Sequence, residues 1–155
     1  MKSVELILAD ETATTQLARQ LAGAARPGDV LALTGDLGSG KTTLARAFIR
    51  ALTTPEEEVP SPTFTLVQTY DCDIGTIWHF DLYRLARADD AVELDIEEAF
   101  AEGISLIEWP ERLGAWLPAG ALHLALSAGA GTAGRRVRLT GGERWSKRLS
   151  EMFGG

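Results

Sequence analysis

The sequence predicts an α/β domain, and three features of the 155-residue chain indicate that class. A short apolar run, Asp29 to Thr34, is typical of a buried strand. Beyond a glycine-rich loop, residues 42–52 carry apolar side chains at the spacing of one helix face. Farther along, the β-rich runs 64–70 and 75–81 are separated by too few residues for a helical crossover, so they predict an antiparallel hairpin.

The N-terminal residues predict an edge strand and then a helix. Residues 4–9 alternate loosely between apolar and polar side chains. The segment Asp10 to Thr15 is rich in residues that cap helix N-termini, and the helix after it is expected to end near Gly23. The apolar face of that helix carries Leu17, Ala18, Leu21 and Ala22. A turn over 26–29 then leads into the buried strand.

The loop after the buried strand matches the pattern G-x-x-x-x-G-K-[S/T] at every required position. Its residues are Gly35, Asp36, Leu37, Gly38, Ser39, Gly40, Lys41 and Thr42. Glycines allow successive N–H groups to point inward around an anion, and a helix N-terminus adds unpaired N–H groups. Lys41 is expected to reach the β- and γ-phosphates of a nucleotide, and the Thr42 hydroxyl to ligate Mg²⁺. The alternative is a glycine-rich turn that binds nothing.

Two carboxylates stand where strands are predicted to end. Asp81 ends the run 75–81, and Glu108 ends a short apolar strand, 104–108, that Pro110 stops. Since ligands of α/β sheets bind beyond the carboxyl ends of the strands, both acids are expected beside the phosphates, to hold Mg²⁺ or to position water. The sequence leaves open which of the two is the main metal ligand.

Three other segments near these acids have two interpretations each. Ser61–Pro62–Thr63 is either a switch loop that offers a hydroxyl to the γ-phosphate or its metal, or an ordinary proline-fixed lead-in to a strand. His79, between two aromatic residues, is interpreted as a hydrogen-bonded sheet histidine rather than a base. Trp109 follows Glu108 and either faces the ligand or only packs.

The remaining segments predict helices and strands without an evident chemical role. Residues 88–101 form an acidic helical stretch, which Leu94–Asp95 can divide into two short helices. Residues 121–126 and 135–140 predict two further strands, and residues 143–153 an amphipathic helix.

Composition limits the class of protein. Hydrophobic residues make up 45% of the chain, which indicates a globular fold over residues 1–155 as one domain. Its single cysteine, Cys72, allows no internal disulfide, and we expect no disulfide partner. No apolar run approaches the roughly 20 residues of a membrane span, and no signal peptide is evident, so a cytoplasmic protein is expected.

Charge is spread unevenly around a net value of −7. The stretch 88–111 contains nine acids, whereas 134–155 has six basic residues against two acids. Such runs usually form solvated faces, but either one is also a candidate docking surface. The acidic balance argues against nonspecific nucleic-acid binding by the surface as a whole.

Four motifs stand in order along the chain, in the segments 35–43, 61–67, 79–85 and 107–111. Together they resemble those of the bacterial TsaE (YjeE) family, and the likeness runs from about Asp10 to Leu126. The resemblance implies a P-loop NTPase fold, a three-layer sandwich with a mixed, mainly parallel central sheet between helices. It also implies an ATPase that docks on a two-protein transferase core, TsaB and TsaD, in tRNA threonylcarbamoyladenosine synthesis. Contact with tRNA would then be indirect, through the complex, and no membrane would be involved.

The resemblance also assigns roles to individual residues. Lys41 and the loop amides hold the phosphates of ATP, Thr42 and Glu108 hold Mg²⁺, and Asp81 is similar to a carboxylate needed for hydrolysis. Further positions match motif residues near the nucleotide or the partner: Thr43, Ser61, Thr63 and Trp109. The resemblance also implies that the far side of the nucleotide contacts Glu11, Thr12, Thr14 and Arg135.

Three functions are compatible with these features. The first is a weak ATPase of the tRNA-modifying complex, activated by its partners. The second is a small-molecule kinase, which shares the loop and metal ligands and also needs an acceptor pocket. The third is a binding module gated by nucleotide with little hydrolysis. A GTPase is disfavoured because no [N/T]-K-x-D motif is present.

Overall fold

The computed structural model describes residues 2–36, 38–129, 131 and 134–154. Both strands and helices occur along them, as the α/β class requires. The strands are β1 (Lys2–Leu8), β2 (Val30–Thr34), β3 (Val67–Cys72), β4 (Gly75–Asp81), β5 (Ile104–Glu108), β6 (Leu122–Ala128) and β7 (Arg135–Gly141). The α-helices are α1 (Glu11–Ala24), α2 (Lys41–Leu52), α3 (Ile96–Glu102) and α4 (Glu143–Phe153), and two 3₁₀ helices span Ala88–Leu94 and Pro110–Trp116.

The strands form a mixed sheet in the order β1-β7-β6-β2-β5-β4-β3. The three inner pairings, β6 with β2, β2 with β5 and β5 with β4, are parallel, and the three outer ones are antiparallel. Five strands run the same way, because β1 and β6 are both antiparallel to β7. The predicted mixed sheet is confirmed, and "mainly parallel" describes it only loosely, because three pairings are parallel and three are antiparallel. The predicted β1 edge and β3–β4 hairpin are confirmed as well.

Helices cover the sheet on both faces, which gives the three layers. One core cluster joins α1, α2 and α4 to strand residues such as Leu31, Ile77 and Leu106. A second cluster lies under α3 and the two 3₁₀ helices and contains Phe80 and Ile107. Of the helices in the described ranges, none is long and apolar enough to cross a membrane.

Three local features differ from, or sharpen, the sequence prediction. The strand expected from residue 64 begins at Val67, because residues 63–66 turn: the Leu66 N–H donates to the Pro62 carbonyl at 2.7 Å, and Leu66 has a φ of +68°. The acidic stretch does divide at Asp95, whose φ is +59°. The 3₁₀ helix that begins at Pro110 was not predicted.

A buried ion cluster ties α4 to the start of β2, at the amino ends of the parallel strands. Asp29 is fully buried and accepts hydrogen bonds from Arg148 at 2.7 and 2.9 Å and from Arg144 at 2.7 Å. Burial by itself raises the pKa of this carboxyl. The hydrogen bonds from Arg148, the Arg26 amide and Arg144 outweigh that effect, so the Asp29 pKa lies below its ordinary value.

Candidate nucleotide-binding site

The loop between β2 and α2 has the backbone that the phosphate-binding pattern requires. Gly35, Gly38 and Gly40 have φ values of +142°, +78° and +103°, which favour glycine. A Cβ on Gly35 would lie 2.6 Å from both the Leu126 carbonyl oxygen and the Ser39 hydroxyl, so this position also lacks room for a side chain. Leu37 lies outside the described residues.

Helix α2 begins at Lys41 with its N-terminus facing the loop. Its N-cap residue is Gly40, and no side chain caps the first turn. The N–H groups of a first turn have no partner inside the helix, and the helix dipole makes that end favourable for an anion. The loop and the helix therefore converge on one anion-binding position.

Lys41 lies within this loop and is 4% exposed. Its ammonium donates to the Gly35 carbonyl at 2.6 Å and lies 3.4 Å from the centre of the Trp109 ring. Burial lowers the Lys41 pKa, although Glu108 and other nearby acids act in the opposite direction. The side chain is thus held at the loop by one carbonyl and one aromatic face, and an ammonium there can bind phosphate oxygens.

The Thr42 hydroxyl and Glu108 meet as the predicted metal pair. Thr42 donates to Glu108 Oε1 at 2.8 Å, and Glu108 is 2% exposed. The second carboxylate oxygen, Oε2, lies 2.7 Å from His79 Nε2, and His79 is fully buried. Mg²⁺ prefers hard oxygen ligands and usually combines one or two carboxylates with substrate phosphates and water. A hydroxyl and a carboxylate beside a phosphate loop fit that ion.

Asp81 is adjacent to Glu108 because their strands pair in parallel with these two residues in register. Asp81 is 5% exposed; its Oδ2 accepts from the Thr63 hydroxyl at 3.1 Å and its Oδ1 from the Tyr83 N–H at 3.1 Å. The Ser61 hydroxyl lies 2.8 Å from that of Thr63. The Thr63 hydroxyl therefore connects the Ser61–Thr63 segment, which precedes β3, directly to Asp81.

Trp109 connects the end of β5 to Lys41. It is in the left-handed region, with φ +61° and ψ +50°, which is unusual for a bulky residue. Its ring also lies 4.9 Å from that of Tyr83, which is 40% exposed. Trp109 thus contacts the loop lysine on one side and a surface aromatic residue on the other.

Most of the predicted site residues line one cleft of about 330 Å³. They come from the phosphate loop, α2, the segment before β3, the ends of β4 and β5, and the start of β7. The lining residues are Gly38, Gly40, Lys41, Thr42, Thr43, Ser61, Thr63, Asp81, Glu108, Trp109 and Arg135. Arg135 reaches the loop by donating to the Gly38 carbonyl at 3.1 Å.

The residues predicted at the start of α1 are not in that cleft. Glu11 and Thr43 line a neighbouring cleft of about 460 Å³ between α1 and α2, and Glu11 and Thr12 line a further one. Thr14 is 3% exposed, and its hydroxyl donates to the Asp10 carbonyl at 3.5 Å. Thr43 borders both of the larger clefts, so contact of Glu11, Thr12 and Thr14 with a nucleotide stays a prediction.

The bond between His79 and Glu108 was not anticipated from the sequence. One signal was present in the sequence. His79 and Asp81 are two apart on a predicted strand, so their side chains point to the same face of the sheet, and Asp81 and Glu108 were both expected beside the phosphates. His79 is the hydrogen-bonded sheet histidine that was expected, and its partner is the candidate metal carboxylate.

Comparison with known proteins is consistent with this geometry. The family model described as "Threonylcarbamoyl adenosine biosynthesis protein TsaE" matches residues 8–137. The chain belongs to the TsaE family. Its TsaE relative in Bacillus subtilis (strain 168), named as a tRNA threonylcarbamoyladenosine biosynthesis protein, is 33% identical over 98% of this chain and 95% of its own length.

Other TsaE relatives match over shorter segments. The Aquifex aeolicus protein is 41% identical over 70% of this chain and 77% of its own length. The Rickettsia felis protein is 44% identical over 68% of this chain, and the match spans only 62% of that relative. The crystal structure of Bacillus subtilis YdiB superposes with a TM-score of 0.77 at 27% identity, covering 97% of this chain and 94% of that one.

Proposed function

We propose that this TsaE-family chain binds ATP with Mg²⁺ and hydrolyses it to ADP and phosphate. The observation that carries the proposal is the convergence of the phosphate loop, the Thr42–Glu108 pair and Asp81 on one cleft. The loop amides and Lys41 bind the phosphates. Mg²⁺, when bound by Thr42 and Glu108, neutralises charge on the β- and γ-phosphates.

Asp81 is the residue that we assign to the attacking water. Its carboxylate lies beside Glu108, and each carboxylate oxygen can accept more than one hydrogen bond, so the Thr63 contact leaves capacity for water. The water oxygen forms a bond to the γ-phosphorus while the bond from that phosphorus to the bridging oxygen breaks and ADP leaves. The proton that the water loses passes to Asp81 or to solvent.

Lys41→Ala tests the binding half of this proposal. Loss of the ammonium removes the charge that binds the β- and γ-phosphates, so ATP affinity by isothermal titration calorimetry is expected to fall at least tenfold. The matched control is Lys147→Ala, because the Lys147 side chain is 88% exposed on α4. Equal ATP affinity in both variants would contradict the phosphate role of Lys41.

Labelled ATP separates hydrolysis from transfer to a metabolite. With the γ-phosphate labelled, the ATPase releases the label as free phosphate, whereas a small-molecule kinase places it on an acceptor added from a cell extract. Thin-layer separation of the products distinguishes the two reactions. Label in an organic product would contradict the proposed ATPase function and support the kinase.

We further propose that the chain is the ATPase subunit of cytoplasmic tRNA threonylcarbamoyladenosine synthesis and acts on a TsaB/TsaD-type transferase core. The names of its relatives support the pathway. Hydrolysis by the chain alone is expected to be slow, since Trp109 covers Lys41, which binds the phosphates. A contribution to the active site from a partner protein can be worth about 10³–10⁵ in rate.

The partner proposal is tested with purified transferase subunits, tRNA and threonylcarbamoyl-adenylate. Multiple rounds of tRNA modification are expected only when this chain and ATP are both present, together with faster ATP hydrolysis. Modification through many turnovers without the chain would overturn the role in the pathway, although the ATPase itself would stand.

A further inference from the structure

His79 contacts the candidate metal carboxylate from inside the protein. It lies on β4 with none of its surface exposed, and its Nε2 is 2.7 Å from Glu108 Oε2. The other oxygen of the same carboxylate accepts from Thr42. Both carboxylate oxygens of Glu108 therefore have hydrogen-bond partners: Oε1 bonds to α2 beside the cleft, and Oε2 bonds to His79 within the sheet.

The direction of these bonds follows from chemistry. A carboxylate only accepts hydrogen bonds, so Nε2 must carry the hydrogen that it shares with Glu108. The other ring nitrogen, Nδ1, is buried without a hydrogen-bond partner in the described part of the chain. Among the described residues, the imidazole therefore makes its polar contact with Glu108 alone, and the ring does not line the nucleotide cleft.

This contact limits how Glu108 can turn. The terminal torsion of a glutamate is broad and has no strong preference of its own. With Oε2 fixed by His79, Oε1 stays beside the Thr42 hydroxyl. Without the imidazole, a buried carboxylate oxygen would lose its partner, and rotation of Glu108 would become the route to a new one. In metal sites, groups that hydrogen-bond a ligating side chain in this way orient that ligand for the ion.

We propose that His79 is a positioning residue, which holds Glu108 so that its Oε1 and the Thr42 hydroxyl together face the Mg²⁺ of the bound nucleotide. The inference rests on the proposed Mg²⁺–ATP site. It assigns His79 no contact with the substrate and no proton transfer. Its effect is on the metal-dependent part of nucleotide binding, whereas a histidine that only stabilised the sheet would affect all binding alike.

The first experiment measures ADP affinity by calorimetry with Mg²⁺ and with EDTA. His79→Leu removes the donor, and we expect the affinity in EDTA to be unchanged while the gain on adding Mg²⁺ falls about 10–100-fold. His79→Gln, which can place an N–H near the original Nε2, is expected to restore part of that gain. The matched control is Ile77→Ala, a fully buried position on the same strand and core face.

The outcomes separate the inference from the function on which it rests. If the wild-type protein gains no affinity for ADP from Mg²⁺, the proposed metal site at Thr42 and Glu108 fails, and the inference fails with it. If the wild type shows the gain and His79→Leu keeps it, only the inference is overturned. Equal losses in His79→Leu and Ile77→Ala, with and without Mg²⁺, would show a purely structural role and would overturn it too.

A second measurement needs no substitution at position 79. The chain has two histidines, and the other, His123, is exposed on β6. In protein labelled with ¹⁵N at histidine, His123→Gln identifies the His79 ring signals. We expect those signals to report hydrogen on Nε2 and to shift when Mg²⁺ is added to the ADP complex, but not when ADP is added in EDTA. His79 ring signals that do not change when Mg²⁺ is added to the ADP complex would overturn the inference.

Discussion

At the scale of single residues, the site is made of short contacts between side chains from distant parts of the sequence. Glu108 joins Thr42 and His79, and Asp81 joins Thr63. The residue types were predictable because phosphate and Mg²⁺ chemistry needs a lysine, a hydroxyl and carboxylates in a known order. Their partners were not, since His79 and Glu108 are 29 positions apart in the sequence and the pairing of β4 with β5 brings them together.

Asp81→Ala tests how the two carboxylates divide the work. If Asp81 positions water, the variant binds Mg²⁺–ATP with near wild-type affinity while its hydrolysis rate falls about 10²–10⁴-fold. Affinity is measured by calorimetry and hydrolysis by phosphate release. Asp73→Ala, at an exposed position in the hairpin turn, is the control. Loss of Mg²⁺-dependent binding in Asp81→Ala would instead make Asp81 the main metal carboxylate.

At the scale of elements, the strand–loop–helix unit behaves as its local sequence predicts. The glycines adopt left-handed backbone, and α2 begins at Lys41. Local patterns also located the hairpin and the division at Asp95. They missed the turn at 63–66, where the Leu66 N–H donates to the Pro62 carbonyl, and the left-handed Trp109, which packs on Lys41 from a distant part of the sequence.

Gly35→Ala tests the loop as an element. The φ of +142° and the 2.6 Å approach to the Leu126 carbonyl leave no place for a methyl group. We expect a loss of about 1–3 kcal/mol in the free energy of unfolding, measured by urea titration, together with weaker ATP binding. Gly23→Ala is the control, since nothing lies within 4 Å of its added Cβ and α1 should gain about 0.5–1 kcal/mol. Unchanged stability in Gly35→Ala would show that the loop backbone can relax.

At the scale of the whole molecule, the nucleotide cleft and the buried Asp29 cluster lie at opposite ends of the parallel strands. The cleft lies at the carboxyl ends of the parallel strands, and the Asp29 cluster lies at their amino ends. The α/β class could be read from the predicted strand–loop–helix unit and hairpin, but the strand order could not. No local pattern reports that β6 inserts between β7 and β2, or that Arg135 from β7 reaches Gly38.

The Asp29 cluster predicts an acid-dependent loss of stability. Because the folded pKa of Asp29 is lowered, its contribution is fully present above the unfolded pKa of about 3.9 and is lost as the pH falls through the folded pKa. Urea unfolding from pH 6 downward is expected to show a steeper decline for the wild type than for Asp29→Asn. Parallel declines in the two proteins would contradict the lowered pKa.

The Asp29 cluster also has a consequence for the protein while it is being made. Arg144 and Arg148 belong to α4, which the ribosome synthesises after every other helix and strand described here. Until α4 emerges, the carboxylate next to β2 has no arginine partner, and burying it alone is unfavourable. The strand that carries the phosphate loop is therefore expected to pack stably only after α4 has emerged, so nascent chains that lack α4 should bind nucleotide weakly.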